Sequence, residues 1–102
     1  TDLTHYGPSY GFEPKGRGQA ALDWVQNEND SEFLNMISNC NARGAIDSAK
    51  KRQNACCPGA VAAAISATKG THAKITDSRT SQFRRGGTPE DFVGYGGALL
   101  YK

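Results

Sequence analysis

Hydrophobic residues recur at helical spacing through the middle of the chain and lose that spacing toward both ends. Between Gln19 and Glu28, Ala21, Leu22 and Val25 fall on one side of a helix, with Trp24 beside them and Gly18 just before the start. Asn27, Asn29 and Asp30 predict a stop there, and Asp30 or Ser31 predicts a new start by accepting a bond from an exposed backbone N–H. The second helix, from about Ser31 to Cys40, carries the best apolar face in the chain. Phe33, Ile37 and Cys40 repeat along it at helical intervals, and Leu34 and Met36 widen the stripe.

Asn39, Asn41 and Gly44 close that helix, since all three tolerate the left-handed conformation that ends helices. A third helix is predicted from Ala45 to Ala55, with Ile46, Ala49, Gln53 and Cys56 along one side and Asp47 placed to pair with Lys51. Pro58 suits the first position of a fourth, Pro58 to Thr68, whose face is Val61, Ala64, Ile65 and Thr68 and whose end is Gly70. The alanines of this helix let a neighbour approach closely but bury little area themselves.

The two ends read differently. Residues 1–18 interleave glycine and proline with Tyr6, Tyr10 and Phe12, which predicts an extended arm without persistent helix or strand. Beyond Gly70, His72 to Thr76 suggests a short strand, and Asp77 to Gln82 is almost wholly polar. Thr88-Pro89-Glu90-Asp91 reads as a helix start, and Gly94, Gly96 and Gly97 leave room for only a turn or so after Phe92. The predicted fold is therefore mainly α: a small bundle of three to four short helices with long irregular N- and C-terminal segments and room for one short strand pair. Its parts are an extended arm at 1–18, a helical core at 19–70 and an irregular segment at 71–102 that docks on the core or on a partner.

Composition changes this picture in one respect: the core is lean. Leu, Ile, Val and Phe number 16 of 102 residues, near the level at which disorder competes, while the net charge of +2 is too small to hold the chain unfolded by self-repulsion. No apolar run approaches the roughly 20 residues that span a bilayer, so a membrane-spanning protein is not expected. The start at Thr1 points to a processed chain addressed to a secretory or organellar lumen, with the cytoplasm as the alternative.

Cys40, Cys56 and Cys57 are the disulfide candidates. A bridge from Cys40 to either of the others would close a loop of about 17 residues, a stabilisation of roughly 3 kcal/mol, while three reduced, buried thiols are the competing expectation. No metal site is expected, because zinc normally takes four ligands at paired spacings and neither His5 nor His72 stands at such an interval from a cysteine. No cofactor is expected either, the glycine pairs lacking the strand and helix that make a phosphate loop.

Function is read from where the rings lie. All of the aromatic residues but Trp24 and Phe33 fall outside the helical middle, where an isolated domain would gather them for burial. The leading expectation is a non-enzymatic accessory subunit that docks on a larger protein assembly through Tyr6, Tyr10, Phe12, Phe92, Tyr95 and Tyr101. The alternative is a small secreted effector or toxin, in one form a metal-free ribonuclease using His72, Lys74, Arg84 and Arg85. Nucleic-acid binding through Lys50-Lys51-Arg52 or Arg84-Arg85 is the weaker partner class, since Asp47, Glu90 and Asp91 flank the basic clusters.

Overall fold

A three-stranded antiparallel sheet, order β1-β3-β2, runs through the computed structural model, which describes residues 1–69 and 72–101 without the side chains of Phe83 and Arg84. The strands are β1 (Asp2–Tyr6), β2 (His72–Thr80) and β3 (Phe92–Tyr101). The helices are α1 (Gln19–Trp24), α2 (Asp30–Ser38), α3 (Ala42–Arg52), α4 (Pro58–Thr68) and the short α5 (Gln82–Arg85). The architecture is thus α/β, and both ends of the chain expected to be irregular supply its sheet.

The helical middle follows the apolar pattern in α2, whereas α3 and α4 turn other sides inward: Gln53, Cys56, Ala64 and Thr68, expected on their buried faces, are exposed and Ala45, Ser48 and Ala62 are buried, because small side chains carry too little area to fix a face locally. Phe33, Leu34 and Ile37 of α2 are buried against the sheet, and Pro58 opens α4 as its chemistry suggests. Asn41 caps α3, its Oδ1 accepting from Gly44 N at 2.8 Å, so this helix starts and ends three residues earlier than expected and buries Ala45, Ser48 and Ala49. Lys69 takes the left-handed position that ends α4, and Gly70, expected to do so, lies outside the described residues.

The predicted break between the first two helices does not occur. A π-helical turn, Val25–Asn29, joins α1 to α2, so the chain stays helical from Gln19 to Ser38. Asn29 and Asp30 do not terminate or cap; they are buried and bonded to other elements. Asn29 Nδ2 donates to Thr4 Oγ1 at 3.0 Å and to Arg52 O at 3.1 Å, while Asp30 Oδ1 accepts from Thr4 N at 3.0 Å and from the Thr4 hydroxyl. Partners across the fold replace the local bonds that usually draw these residues out of helices.

The C-terminal expectations also change. Residues 86–91 contain no helix, and the strand expected to stop at Thr76 runs on to Thr80. Glycines 94, 96 and 97 lie within β3. A Cβ on Gly94 would strike the Asp30 carboxylate, and one on Gly96 would meet Leu34 Cδ2 at 2.9 Å and Leu3 Cδ1 at 3.2 Å. These two glycines are clearances that let α2 lie close to the sheet, a role that strand-forming tendency alone does not reveal.

The core has two parts. Leu3, Phe33, Leu34, Ile37, Ala45 and Ala49 form an aliphatic group, with Ala73, Ile75 and Leu100 of the sheet packed on it. Tyr6, Ala21, Leu22, Val25 and Phe92 form a second group, bordered by Phe12 and Trp24. Tyr6 stacks on Phe92 with centroids 5.2 Å apart, and its hydroxyl accepts from Lys15 N and donates to Gly16 O, both at 2.8 Å. The arm is therefore folded onto the body by its own tyrosine.

Candidate functional site

Side chains alternate across a strand, so the residues of β3 divide into two sets. Gly94, Gly96 and Leu100 face α2 and the core; Tyr95, Gly97, Leu99 and Tyr101 face away. Register with β2 extends the outward set: His72 lies opposite Tyr101, Lys74 opposite Leu99 and Arg79 opposite Tyr95. A register shift between Ile75 and Asp77 keeps Ala73 and Ile75 on the core side and places Asp77 opposite Gly97. On the other edge Asp2 pairs with Tyr95 and His5 with Val93.

The outcome is a sheet face bearing Tyr95 (44% exposed), Leu99 (57%) and Tyr101 (48%), with the His72 ring stacked on Tyr101 at 5.3 Å. A depression of about 600 Å³ opens in it, lined by Asp77, Arg79, Ser81, Tyr95 and Gly97 among others. The lack of a side chain at Gly97 forms part of its floor. Arg79 Nε and Asp77 Oδ1 are 3.0 Å apart, so charge on the face is mixed. Large aromatic and aliphatic side chains gathered on one exposed face are a mark of protein contact surfaces, with charges at the rim.

The residues expected to bind a partner fare unequally. Tyr95 and Tyr101 lie on this face, and Tyr10 is half-exposed at the β1 end of the molecule, edge-on to the His5 ring at 5.2 Å. Tyr6 and Phe92 are buried in the core, and Phe12 covers it, so a partner cannot reach the first two. Leu99 joins Tyr95 and Tyr101 on this face, and the signal for it in the sequence is two-residue alternation from Tyr95 to Tyr101.

The ribonuclease set does not converge. His72 and Lys74 stand at one end of β2, whereas Arg85 follows its other end, with its Nη1 donating to Asp91 O at 3.3 Å. Six residues of strand, about 20 Å, separate Lys74 from Thr80. The Arg84 side chain lies outside the described residues.

No disulfide joins the three cysteines. Cys40 follows α2 with a left-handed backbone, and the sulfurs of Cys56 and Cys57, in the link between α3 and α4, are 3.8 Å apart. Burial of the sulfur first, then the hydrogen bond and charge of Cys57 and the charge of Asp2, push the Cys56 thiol up. Ligand-type atoms of Asp2, His5 and Cys56 lie within 4.8 Å of one another, a grouping that sequence spacing did not suggest.

A buried polar chain links the elements behind the sheet. Asn54 Nδ2 donates to Asn29 O at 3.0 Å and to Ser48 Oγ at 2.8 Å, and Ser48 Oγ donates to Glu32 Oε2 at 2.8 Å, which also meets Arg52 Nε at 2.7 Å. Burial pushes the Asp30 carboxyl up to about 6, against the opposing effect of its two bonds from Thr4. Asn29, Asp30, Ser48 and Asn54 are buried, so their part is structural, while the Glu32–Arg52 pair at the end of this polar chain is partly exposed. Comparison with protein-family models, with characterised proteins and with solved structures finds no match for the chain. Among the described residues no helix is long and apolar enough to cross a membrane.

Proposed function

We propose that the protein is a non-enzymatic binding module that docks on a larger protein through the outward face of its sheet. The observation that carries this reading is the row Tyr95, Leu99 and Tyr101: large side chains held in solvent on the outward side of the central strand, interrupted only by Gly97. A row of that kind, on a strand whose other face is packed, costs solubility unless another surface covers it. Among the described residues, the paired Asp77 and Arg79, with Asp2 opposite Tyr95 and Lys74 opposite Leu99, give the face little net charge, which favours a protein surface over a phosphate backbone.

This reading retains an accessory subunit and proposes its contact residues on an ordered strand rather than on irregular ends. Docking a preformed face avoids the ordering cost that a disordered arm would carry. A photoreactive amino acid at Leu99, introduced into the full chain in its source cells, tests the proposal. One defined protein should be captured in stoichiometric yield, competed by unlabelled wild type and far less by a Tyr95→Ser/Tyr101→Ser variant. Equal competition by both would overturn the reading.

A further inference from the structure

Two segments distant in sequence bring three ligand-type residues together at β1. Asp2 and His5 lie on either side of the register shift within β1, and Cys56 comes from the link between α3 and α4. Their carboxylate, imidazole and thiol ligand atoms all fall within 4.8 Å of one another. The Cys57 sulfur is 3.8 Å from that of Cys56. Two sulfurs bound tetrahedrally to one zinc ion, each about 2.3 Å from it, are separated by about 3.8 Å. His5 Nδ1 lies 3.1 Å from the Leu3 carbonyl oxygen. A proton on Nδ1 donated to that oxygen leaves the Nε2 lone pair as the ligand, the second-shell arrangement usual for metal-binding histidines.

We infer that Asp2, His5, Cys56 and Cys57 together form a binding site for a divalent transition metal of the zinc type, which fastens β1 to the link between α3 and α4. The donor set is one oxygen, one nitrogen and two sulfurs, which suits a tetrahedral, thiophilic ion and poorly suits calcium or magnesium. Asp2, Cys56 and Cys57 are exposed, so rotations of their side chains close the three-residue grouping to the spacing of a coordinated ion and turn the Cys57 sulfur, now placed beside that of Cys56 and outside the grouping, into the fourth position. Binding forms two metal–sulfur bonds, and the two thiol protons pass to solvent; no oxidation state changes. Such a clamp would add binding free energy to the folded state of a chain whose core is lean. Sequence spacing hides the site because His5 and Cys56 are joined only by the fold.

Titration of the reduced, purified full chain with Co²⁺, followed by competition with Zn²⁺, tests the inference. One equivalent of Co²⁺ should give the intense visible bands of a tetrahedral ion and sulfur-to-cobalt charge transfer in the near ultraviolet, and Zn²⁺ should abolish both. Cys56→Ser and His5→Ala should each weaken binding by at least roughly tenfold, the loss usual on disturbing even an outer partner of a metal site. Cys40→Ser, which removes a thiol outside the cluster, should leave the titration unchanged. Zn²⁺ should raise the Tm of the wild type and not that of His5→Ala, whose far-ultraviolet circular dichroism reports whether it folds. Absence of charge transfer in the wild type, or binding that Cys56→Ser and Cys40→Ser reduce equally, would overturn the site.

Discussion

Tyr6 and Tyr101 are the same residue type in two glycine-rich ends of one chain, each on a strand of one sheet, yet one is the floor of the core and the other faces water. Tyr6 stacks on Phe92, and its hydroxyl is bonded twice to the arm that it folds back. Tyr101 stacks on His72, at the outer surface. The difference is one of strand parity. A one-residue change of register turns a side chain from the core to solvent, so local composition cannot say which of two aromatic ends stabilises the fold and which is left for contact.

The largest effect should come from breaking the buried side of this contrast. Tyr6→Ala should cost about 3 to 5 kcal/mol in urea unfolding, the range for emptying an aromatic site in a core. The next test concerns Asp30, which lies under the same sheet. Its folded carboxyl holds a proton to about pH 6, against 3.8 unfolded, so between those values the native state binds more protons than the unfolded chain. This group's contribution to stability is therefore full below about pH 4 and is lost as pH rises through 6, an effect of at most about 3 kcal/mol. Asp30→Asn should flatten that dependence in unfolding curves taken across the window, and an unchanged slope would assign it to other groups.

Gly94 sharpens the same point without changing charge. Gly94→Ala should destabilise by about 1 to 3 kcal/mol, because the new methyl meets the Asp30 carboxylate beneath the strand. Gly59→Ala, in α4 with open space around it, should gain up to about 1 kcal/mol, and a like sign for the two would show that clearance is not what β3 requires. The smallest effect belongs to the outward face. Leu99→Ser/Tyr101→Ser should shift stability by no more than about 0.5 kcal/mol per site while reducing partner capture, which separates contact from packing.

The helices were legible because an apolar stripe of period 3.6 is a local signal: Phe33, Leu34 and Ile37 define α2, and Pro58 fixes the start of α4. The sheet was not. Glycines in β3 read as breakers until α2 is seen lying against them, and polar residues in β2 read as loop because that strand is largely exposed on both sides. The π-helical turn was hidden for a related reason, since Asn29 and Asp30 are sustained in a helix by Thr4 and Arg52, which are remote in sequence. The sheet-face site could be read only in fragments, as scattered rings, and the cluster at β1 could not be read at all.

What the sequence determined by itself is the apolar face of α2, the helix start at Pro58 and the supply of aromatic residues at each end, all properties of neighbours a few positions apart. Only the tertiary structure decided which rings are buried, which glycines are clearances and which ligand-type residues meet. Each of those depends on strand register and on the angle at which α2 crosses the sheet, and both are set by packing between segments that the chain keeps far apart.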